Sequence, residues 1–157
     1  MVIKIIYIGN TKSNLNHIYQ DYISRIKKIK KTIGLKDIIF KEIKNSNKKN
    51  IKEIKEEESI KLLNQKTSES LNILLDRKGK KIDSIKFSNL FYEQSLINKN
   101  INFFIGGSNG LKEKYHKDFD KIISFGDLTW PHKMFKIMLL EQIYRSITII
   151  NNHPYHK

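Results

Sequence analysis

The chain contains no cysteine among its 157 residues. Without thiols it can form no disulfide, no thiolate zinc site and no cysteine nucleophile. No stretch approaches the roughly 20 uncharged apolar residues of a membrane-spanning helix, and the first residues, MVIKIIYIGN, carry a lysine where a signal peptide is apolar. We therefore expect a cytoplasmic protein whose chemistry rests on His, Tyr, Arg, Asp, Glu or a bound cofactor.

Arginine is also scarce, because only Arg25, Arg77 and Arg145 occur among 30 basic residues. The formal net charge is nonetheless +14, which is the sign expected of a protein that binds a polyanion such as nucleic acid. A solvated lysine surface or an acidic partner would explain this charge too. Because lysine cannot supply the planar, two-pronged donor of arginine, Arg145 is a candidate binding residue.

Apolar runs alternate with helical periodicity along the chain. Strands are expected at residues 2–8, 37–43, 71–75, 102–105 and 121–124. Helices are expected at residues 15–26, from Ser84, and from Pro131 through residue 147. This alternation predicts a single α/β domain, residues 1–157, with a largely parallel sheet flanked by helices.

Three local features are predicted in the middle of the chain. The charged segment 44–65 indicates a loop and then a helix with a solvent-exposed charged face. The strand at 71–75 is expected to stop at Asp76, before a turn at residues 78–80. The helix from Ser84 is expected to place one set of apolar residues on one face: Phe87, Leu90, Phe91 and Ile97.

The final helix is apolar around almost its whole circumference. Its apolar residues are Phe135, Ile137, Met138, Leu139, Leu140, Ile143, Tyr144 and Ile147. A helix that is apolar on every side must be buried on every side, and a small sheet covers only one of them. The pattern therefore predicts a homodimer formed through this helix.

Three loops follow three successive predicted strands, at residues 75–76, 105–107 and 125–130. If the strands are parallel, these loops meet at the carboxyl edge of the sheet, where α/β proteins bind ligands. Gly106, Gly107 and Gly110 permit close approach of a ligand to the backbone, although a tight structural turn would explain them as well. The loops lack phosphate ligands, so we expect main-chain contacts to an adenine.

Glu141 and Arg145 are four residues apart on the final helix. They form either a structural ion pair or a site in which Glu141 orients Arg145 toward a phosphate or a base oxygen. His132 is interpreted as structural rather than catalytic. No pair of histidines has the spacing of metal ligands, so no metal site is expected. The C-terminal Tyr155, His156 and Lys157 suggest a tail that docks, with His156 as a candidate proton acceptor.

Five segments, LLDRKGK, FFIGGSNGL, SFGDLTWPHKM, LLEQIYRS and HPYHK, resemble in order the motifs of the RlmH (YbeA-like) family. The resemblance spans essentially the whole chain. Members of that family are SPOUT-class methyltransferases that modify N3 of a pseudouridine in large-subunit (23S) ribosomal RNA. The resemblance implies an α/β trefoil knot, a homodimer, S-adenosylmethionine as cofactor, and ribosomal RNA within the ribosome as partner.

The resemblance also implies roles for particular residues. Arg145 would supply positive charge to the target base, while Tyr155 and His156, reaching across from the other subunit, would position the base and accept its proton. The cofactor-binding positions would be Leu75, Gly106, Phe125, Gly126, Asp127, Leu128, Thr129 and Trp130. The rival interpretations are a non-catalytic RNA-binding module and a SPOUT methyltransferase that acts on transfer RNA.

Overall fold

The computed structural model describes residues 1–9 and 15–157. Two 3₁₀ turns, Lys30–Ile33 and Glu113–Asp118, accompany the regular elements. These elements are β1 (Val2–Ile8), α1 (Asn16–Ile29), β2 (Asp37–Ile43), α2 (Ile51–Leu63), β3 (Ser70–Lys81), α3 (Ser84–Leu96), β4 (Asn100–Ile105), β5 (Lys121–Ser124) and α4 (His132–Ile150). The predicted alternation of strands and helices is confirmed.

One five-stranded sheet organises the described residues, in the order β2-β1-β4-β3-β5, and every pairing is parallel. Helices α1, α3 and α4 pack on one face, against Ile3, Ile5 and Phe103. Helix α2 covers the other face with Leu62, which packs in a second cluster with Phe104. The predicted α/β class is confirmed, and all strands end at one carboxyl edge.

Helix α2 has a buried side that the sequence did not predict. Glu58, Ser59 and Leu62 are buried, so the prediction of a charged, exposed helix was wrong for this side. The side chain of Asn50 caps the helix by accepting a hydrogen bond from the Lys52 amide at 2.8 Å. One apolar residue per turn is too weak a periodic signal to reveal a face that packs on a sheet.

Strand β3 continues beyond the stop expected at Asp76. The segment that was predicted to turn at residues 78–80 stays extended, and β3 ends at Lys81. That prediction was wrong because Lys80 and Lys81 pair with β5, a long-range contact that overrides the local turn signal of a glycine between lysines.

Strand β5 passes very close to the second half of β3. Ile123 is in register with both Leu75 and Lys80. A strand residue pairs with one neighbour on each edge, so β5 lies between two limbs of β3. A Cβ atom on Gly79 would lie 2.7 Å from backbone atoms of β5, which only glycine avoids.

Helix α3 mostly follows its prediction. The Asp83 side chain caps it by accepting a hydrogen bond from the Lys86 amide at 2.7 Å. Phe87, Leu90 and Phe91 are buried as predicted. Ile97 is 67% exposed, so its assignment to the buried face was wrong, because the helix ends at Leu96.

Helix α4 begins one residue later than predicted, since Pro131 is its N-cap with φ −58° and ψ 134°. Its inner residues are fully buried beneath α1 and α3, and Tyr19 of α1 donates a hydrogen bond to the Lys133 carbonyl at 2.9 Å. Met134 on the outer face is 47% exposed, so one chain does not bury the helix all round. The homodimer stays a prediction.

We expect Gly79→Ala to lower the free energy of unfolding by about 2 kcal/mol, because the new methyl group overpacks the backbone of β5. Urea unfolding measures this change. Lys80→Ala, at the exposed neighbouring position, is the control and should change stability by less than about 0.5 kcal/mol. Equal stability of the two variants would contradict the close passage of β5.

Candidate functional site

The three predicted loops meet at the carboxyl edge of the sheet. They enclose one cavity of about 420 Å³, walled by the ends of β3 and β4 and by the loop between β5 and α4. This volume lies within the roughly 300–1,000 Å³ of small-molecule sites. The prediction that these loops converge is confirmed, and we call this space the loop cavity.

Most residues predicted to bind the cofactor line the loop cavity. Seven of them do so: Leu75, Gly106, Phe125, Gly126, Leu128, Thr129 and Trp130. Asp127 is not among the lining residues, and its exposed carboxylate pairs with Lys81 instead. Their role in binding a cofactor stays a prediction, but for Asp127 the side chain is already engaged outside the cavity.

At two glycines the backbone itself forms part of the wall of the loop cavity. A Cβ atom on Gly106 would lie 2.4 Å from the Leu111 side chain, and a Cβ atom on Gly107 would lie 2.4 Å from Glu58 Oε2. Glu58 is buried, and its other oxygen accepts a hydrogen bond from the Ser46 amide at 3.0 Å. The carboxylate of Glu58 in α2 therefore packs directly behind Gly107 in this wall.

One side of the loop cavity is polar, and sequence reasoning missed much of it. His116 has a side chain only 15% exposed and lines the cavity. Its Nε2 lies 3.7 Å from Oδ2 of Asp76. Lys55 of α2 lines the same space. Neither Lys55 nor His116 follows a predicted strand, so no sequence pattern pointed to this edge.

His132 lines the loop cavity from the first turn of α4. Burial and the charge of Lys136 lower the pKa of His132. Lys136 is itself buried, and its Nζ lies 3.8 Å from the centroid of the Tyr7 ring. Burial lowers the pKa of Lys136 to about 8. The imidazole of His132 is therefore neutral at pH 7 and adds no positive charge to this wall.

A second group of functional side chains forms where the C-terminal tail docks on α4. Arg145 binds Oε1 of Glu141 through Nε at 2.9 Å and Nη2 at 2.7 Å. Tyr155 donates a hydrogen bond to the same oxygen at 3.3 Å, and His156 Nδ1 lies 3.2 Å from Arg145 Nη1. We call these four residues the tail cluster, and the expectation that the tail docks is confirmed.

The contacts within the tail cluster show which of its groups donate hydrogen bonds and which accept them. Because a guanidinium only donates, Nδ1 of His156 accepts from Arg145, and a neutral His156 ring carries its proton on Nε2. Burial and the charge of Glu141 raise the pKa of Tyr155, so it stays a phenol. The hydrogen bond to Glu141 raises the pKa of Arg145. The tail cluster thus combines the Arg145 cation with the Glu141 carboxylate and the Tyr155 phenol, and Arg145 donates to Nδ1 of His156.

The tail cluster does not line the loop cavity of its own chain. Residues 132 and 145 are thirteen positions apart in α4, which is about 20 Å along a helix. Glu141 lines a second cavity of about 620 Å³ between α3 and α4, which shares Phe125 and Gly126 with the loop cavity. Within one chain, therefore, none of the four residues of the tail cluster lines the loop cavity.

Within residues 1–9 and 15–157, no three His, Asp or Glu side chains are grouped as metal ligands would be. No helix there is both long and apolar enough to cross a membrane.

A parallel α/β sheet with a cavity built from loops at its carboxyl edge is the architecture of a small-ligand enzyme domain. Residues 1–156 match the sequence model of a family described as "Predicted SPOUT methyltransferase". The chain belongs to the SPOUT methyltransferase family.

Relatives along the full length share one name, "Ribosomal RNA large subunit methyltransferase H". The protein of Malacoplasma penetrans is 42% identical, and the alignment covers 100% of both chains. That of Mycoplasmopsis synoviae is 39% identical, again over 100% of both chains. That of Agrobacterium fabrum is 33% identical over 100% of this chain and 99% of its own. The similarity thus includes both the loop cavity and the tail.

We expect the His132 ring to titrate below its ordinary value of 6.5, which a histidine NMR titration measures directly. Because the folded pKa is the lower one, the unfolded state binds the proton first. His132 therefore lowers the free energy of unfolding as the pH falls below 6.5, and it has no such effect above that pH. His132→Asn should gain stability relative to the parent at pH 5 compared with pH 7.5. His17→Asn, at an exposed position of α1, is the control.

Proposed function

We propose that this protein is an S-adenosylmethionine-dependent methyltransferase that modifies N3 of a pseudouridine in 23S ribosomal RNA. It would act in the cytoplasm, on the ribosome, as a homodimer of one domain spanning residues 1–157. The observation that carries the proposal is the meeting of three loops, two of which contain glycine, in one cavity, in a chain whose full-length relatives bear the name of a ribosomal RNA methyltransferase.

The loop cavity has the properties that S-adenosylmethionine requires. Its volume suits a ligand of that size, and Gly106 leaves backbone at the wall where a side chain would intrude. Nε1 of Trp130 is buried with no hydrogen-bond partner among the described residues, which leaves a donor for a ligand after a small side-chain shift. The neutral His132 does not repel a sulfonium. The cofactor would supply a methyl group already activated for transfer.

The proposed fold includes a trefoil knot. A knot requires one segment to pass through a loop of the same chain. The position of β5 between the two limbs of β3, with Gly79 against its backbone, supports such a passage. The passage also holds the loop after β5 beside Leu75, where the cavity lies.

The proposed dimer would complete the site. In one chain Arg145 stands about 20 Å along α4 from the cavity wall at His132, and no residue of the tail cluster lines the loop cavity. The outer face of α4 carries the partly exposed Met134 and Met138, an apolar stripe that a second copy would cover. We infer that the tail cluster of one subunit serves the loop cavity of the other.

The tail cluster supplies what N3 of the target base needs. N3 carries a proton that must leave before its lone pair can attack the methyl group. Arg145 would donate to a carbonyl oxygen beside N3 and stabilise the negative charge there. Moving Arg145 to that oxygen frees Nδ1 of His156, which then accepts the proton. Tyr155, a phenol packed at 4.9 Å from the Arg145 guanidinium, would position the base.

We expect calorimetry to detect binding of S-adenosylmethionine to the parent protein and none to Gly106→Val, because the added side chain fills the cavity wall. The parent should transfer a labelled methyl group to 23S RNA in ribosomes from a strain that lacks the enzyme. Transfer RNA from that strain is the control substrate. A parent that binds no cofactor would refute the enzyme, and labelling of transfer RNA instead would refute the substrate.

A shared site predicts complementation between two inactive variants. Gly106→Val should lack cofactor, and Arg145→Ala should lack the cation that stabilises the base, so each is inactive alone. Mixed after unfolding and refolding together, they form heterodimers with one intact site each. Half of the dimers are mixed, so about a quarter of the parent activity should return. No recovery in a mixture that does form heterodimers would contradict sharing between subunits.

A further inference from the structure

The end of α1 and the 3₁₀ turn after it carry lysines without acidic residues. In residues 27–36, five of ten positions are lysine and none is Asp or Glu. Four of the five lysines are exposed, and the remaining one, Lys30, is half-buried. We call Lys27, Lys28, Lys30, Lys31 and Lys36 the α1 lysine surface. Such a run is strongly basic at any ordinary pH.

Several lysines around α2 have acidic partners, whereas within residues 1–9 and 15–157 no carboxylate pairs with a lysine of the α1 lysine surface. Glu57 pairs with Lys61 at 2.5 Å, and Glu56 accepts hydrogen bonds from Lys112 and Lys114, which lower its pKa to about 2. Among the described residues, no ammonium group of the α1 lysine surface pairs with a carboxylate. Its counter-charge must come from solvent ions or from another molecule.

Another lysine-rich segment, the loop before α2, lies against carboxylates. The amide and hydroxyl groups of Ser46 in this loop donate to Glu58 and Glu57 respectively. Hydrogen bonds from Lys61 and Ser46 and the charge of Lys48 lower the pKa of Glu57. Acidic groups therefore screen the lysines of that loop, which makes the α1 lysine surface the more effective site for an external anion.

A chain of aromatic rings connects the α1 lysine surface to the tail cluster. The guanidinium carbon of Arg25 lies 5.7 Å from the centroid of the Tyr22 ring. The ring centroids of Tyr22 and Tyr144 are 6.5 Å apart, and those of Tyr144 and Tyr155 are 4.9 Å apart. Arg25 is one helical turn before Lys28. Cations that follow a backbone beside aromatic rings are the usual combination in proteins that bind single-stranded RNA.

We propose that the α1 lysine surface binds the phosphate backbone of the RNA strand whose target base reaches the tail cluster. This inference rests on the proposed function, because it takes the partner to be RNA. Each ammonium group would neutralise one phosphate and release its condensed counterion. Binding would therefore weaken steeply with salt.

Helix capping explains only part of the α1 lysine surface. Lys27 and Lys28 occupy the last turn of α1, where cations complement the helix dipole. Lys36 lies outside both α1 and the 3₁₀ turn, and its side chain is exposed. A purely structural role gives no reason for a cation there, whereas a phosphate-binding surface does.

The test compares two triple variants with equal loss of charge. K28Q/K31Q/K36Q removes part of the α1 lysine surface. K61Q/K86Q/K114Q removes three lysines that pair with carboxylates of α2 or with Asp83, the N-cap of α3. The affinity for a labelled single-stranded RNA oligonucleotide is measured from low to moderate salt. We expect the first variant to bind about tenfold or more weakly at low salt, with a log–log salt slope reduced by about 2.

The control variant should keep the salt slope of the parent within about one half. Thermal unfolding of both variants checks folding, and K28R/K31R/K36R should restore RNA binding. Equal losses in the two glutamine variants would mean that only total charge matters, and no loss in the first would remove the surface from RNA binding. Either result overturns the inference.

Two further measurements separate this inference from other outcomes. Vesicles with anionic lipid are titrated with the parent and with K28Q/K31Q/K36Q. Loss of vesicle binding without loss of RNA binding would assign the surface to a membrane and overturn the inference. Calorimetry with S-adenosylmethionine should give the same affinity for the parent and both variants, because no mutated lysine lines the loop cavity. Failure of the parent there would refute the proposed function separately.

Discussion

The candidate site depends on the close passage of β5 between the two limbs of β3. Gly79 allows this passage because any side chain would meet the backbone of β5 at 2.7 Å. Once β5 is held there, the loop that follows it lies beside Leu75 at the end of β3, and β4 brings Gly106 to the same edge. A strand of four residues has few hydrogen bonds of its own, so pairing on both edges is what fixes the cavity wall.

Charged side chains are distributed unevenly over the fold, and burial decides which of them are exposed to a ligand. Near the loop cavity, buried Glu58 lies behind Gly107, while burial and, second to it, the charge of Lys136 lower the pKa of His132. On the surface, the carboxylates of α2 neutralise neighbouring lysines, whereas the end of α1 has no such partner. The fold therefore concentrates unpaired positive charge at the end of α1, which the net charge of +14 alone does not reveal.

Local patterns predicted the strands whose centres are apolar. Residues 2–8 are apolar except for Lys4, and residues 121–124 centre on Ile122 and Ile123; both segments are strands, because a parallel strand between helices packs on two faces. The prediction failed where distant contacts decide. The lysines at the end of β3 remain extended because they pair with β5, and α2 buries Glu58 because Gly107 makes room for it.

By itself the sequence determined the order of strands and helices, the three loops at one edge and the pairing of Glu141 with Arg145, since all of these depend on neighbours in the chain or on a rule of parallel sheets. Only the tertiary structure decided where the tail docks and how far it lies from the loop cavity. The reason is that the tail folds back on α4 through contacts between residues far apart in the chain: Tyr155 bonds Glu141 and His156 bonds Arg145, and none of them lines the loop cavity.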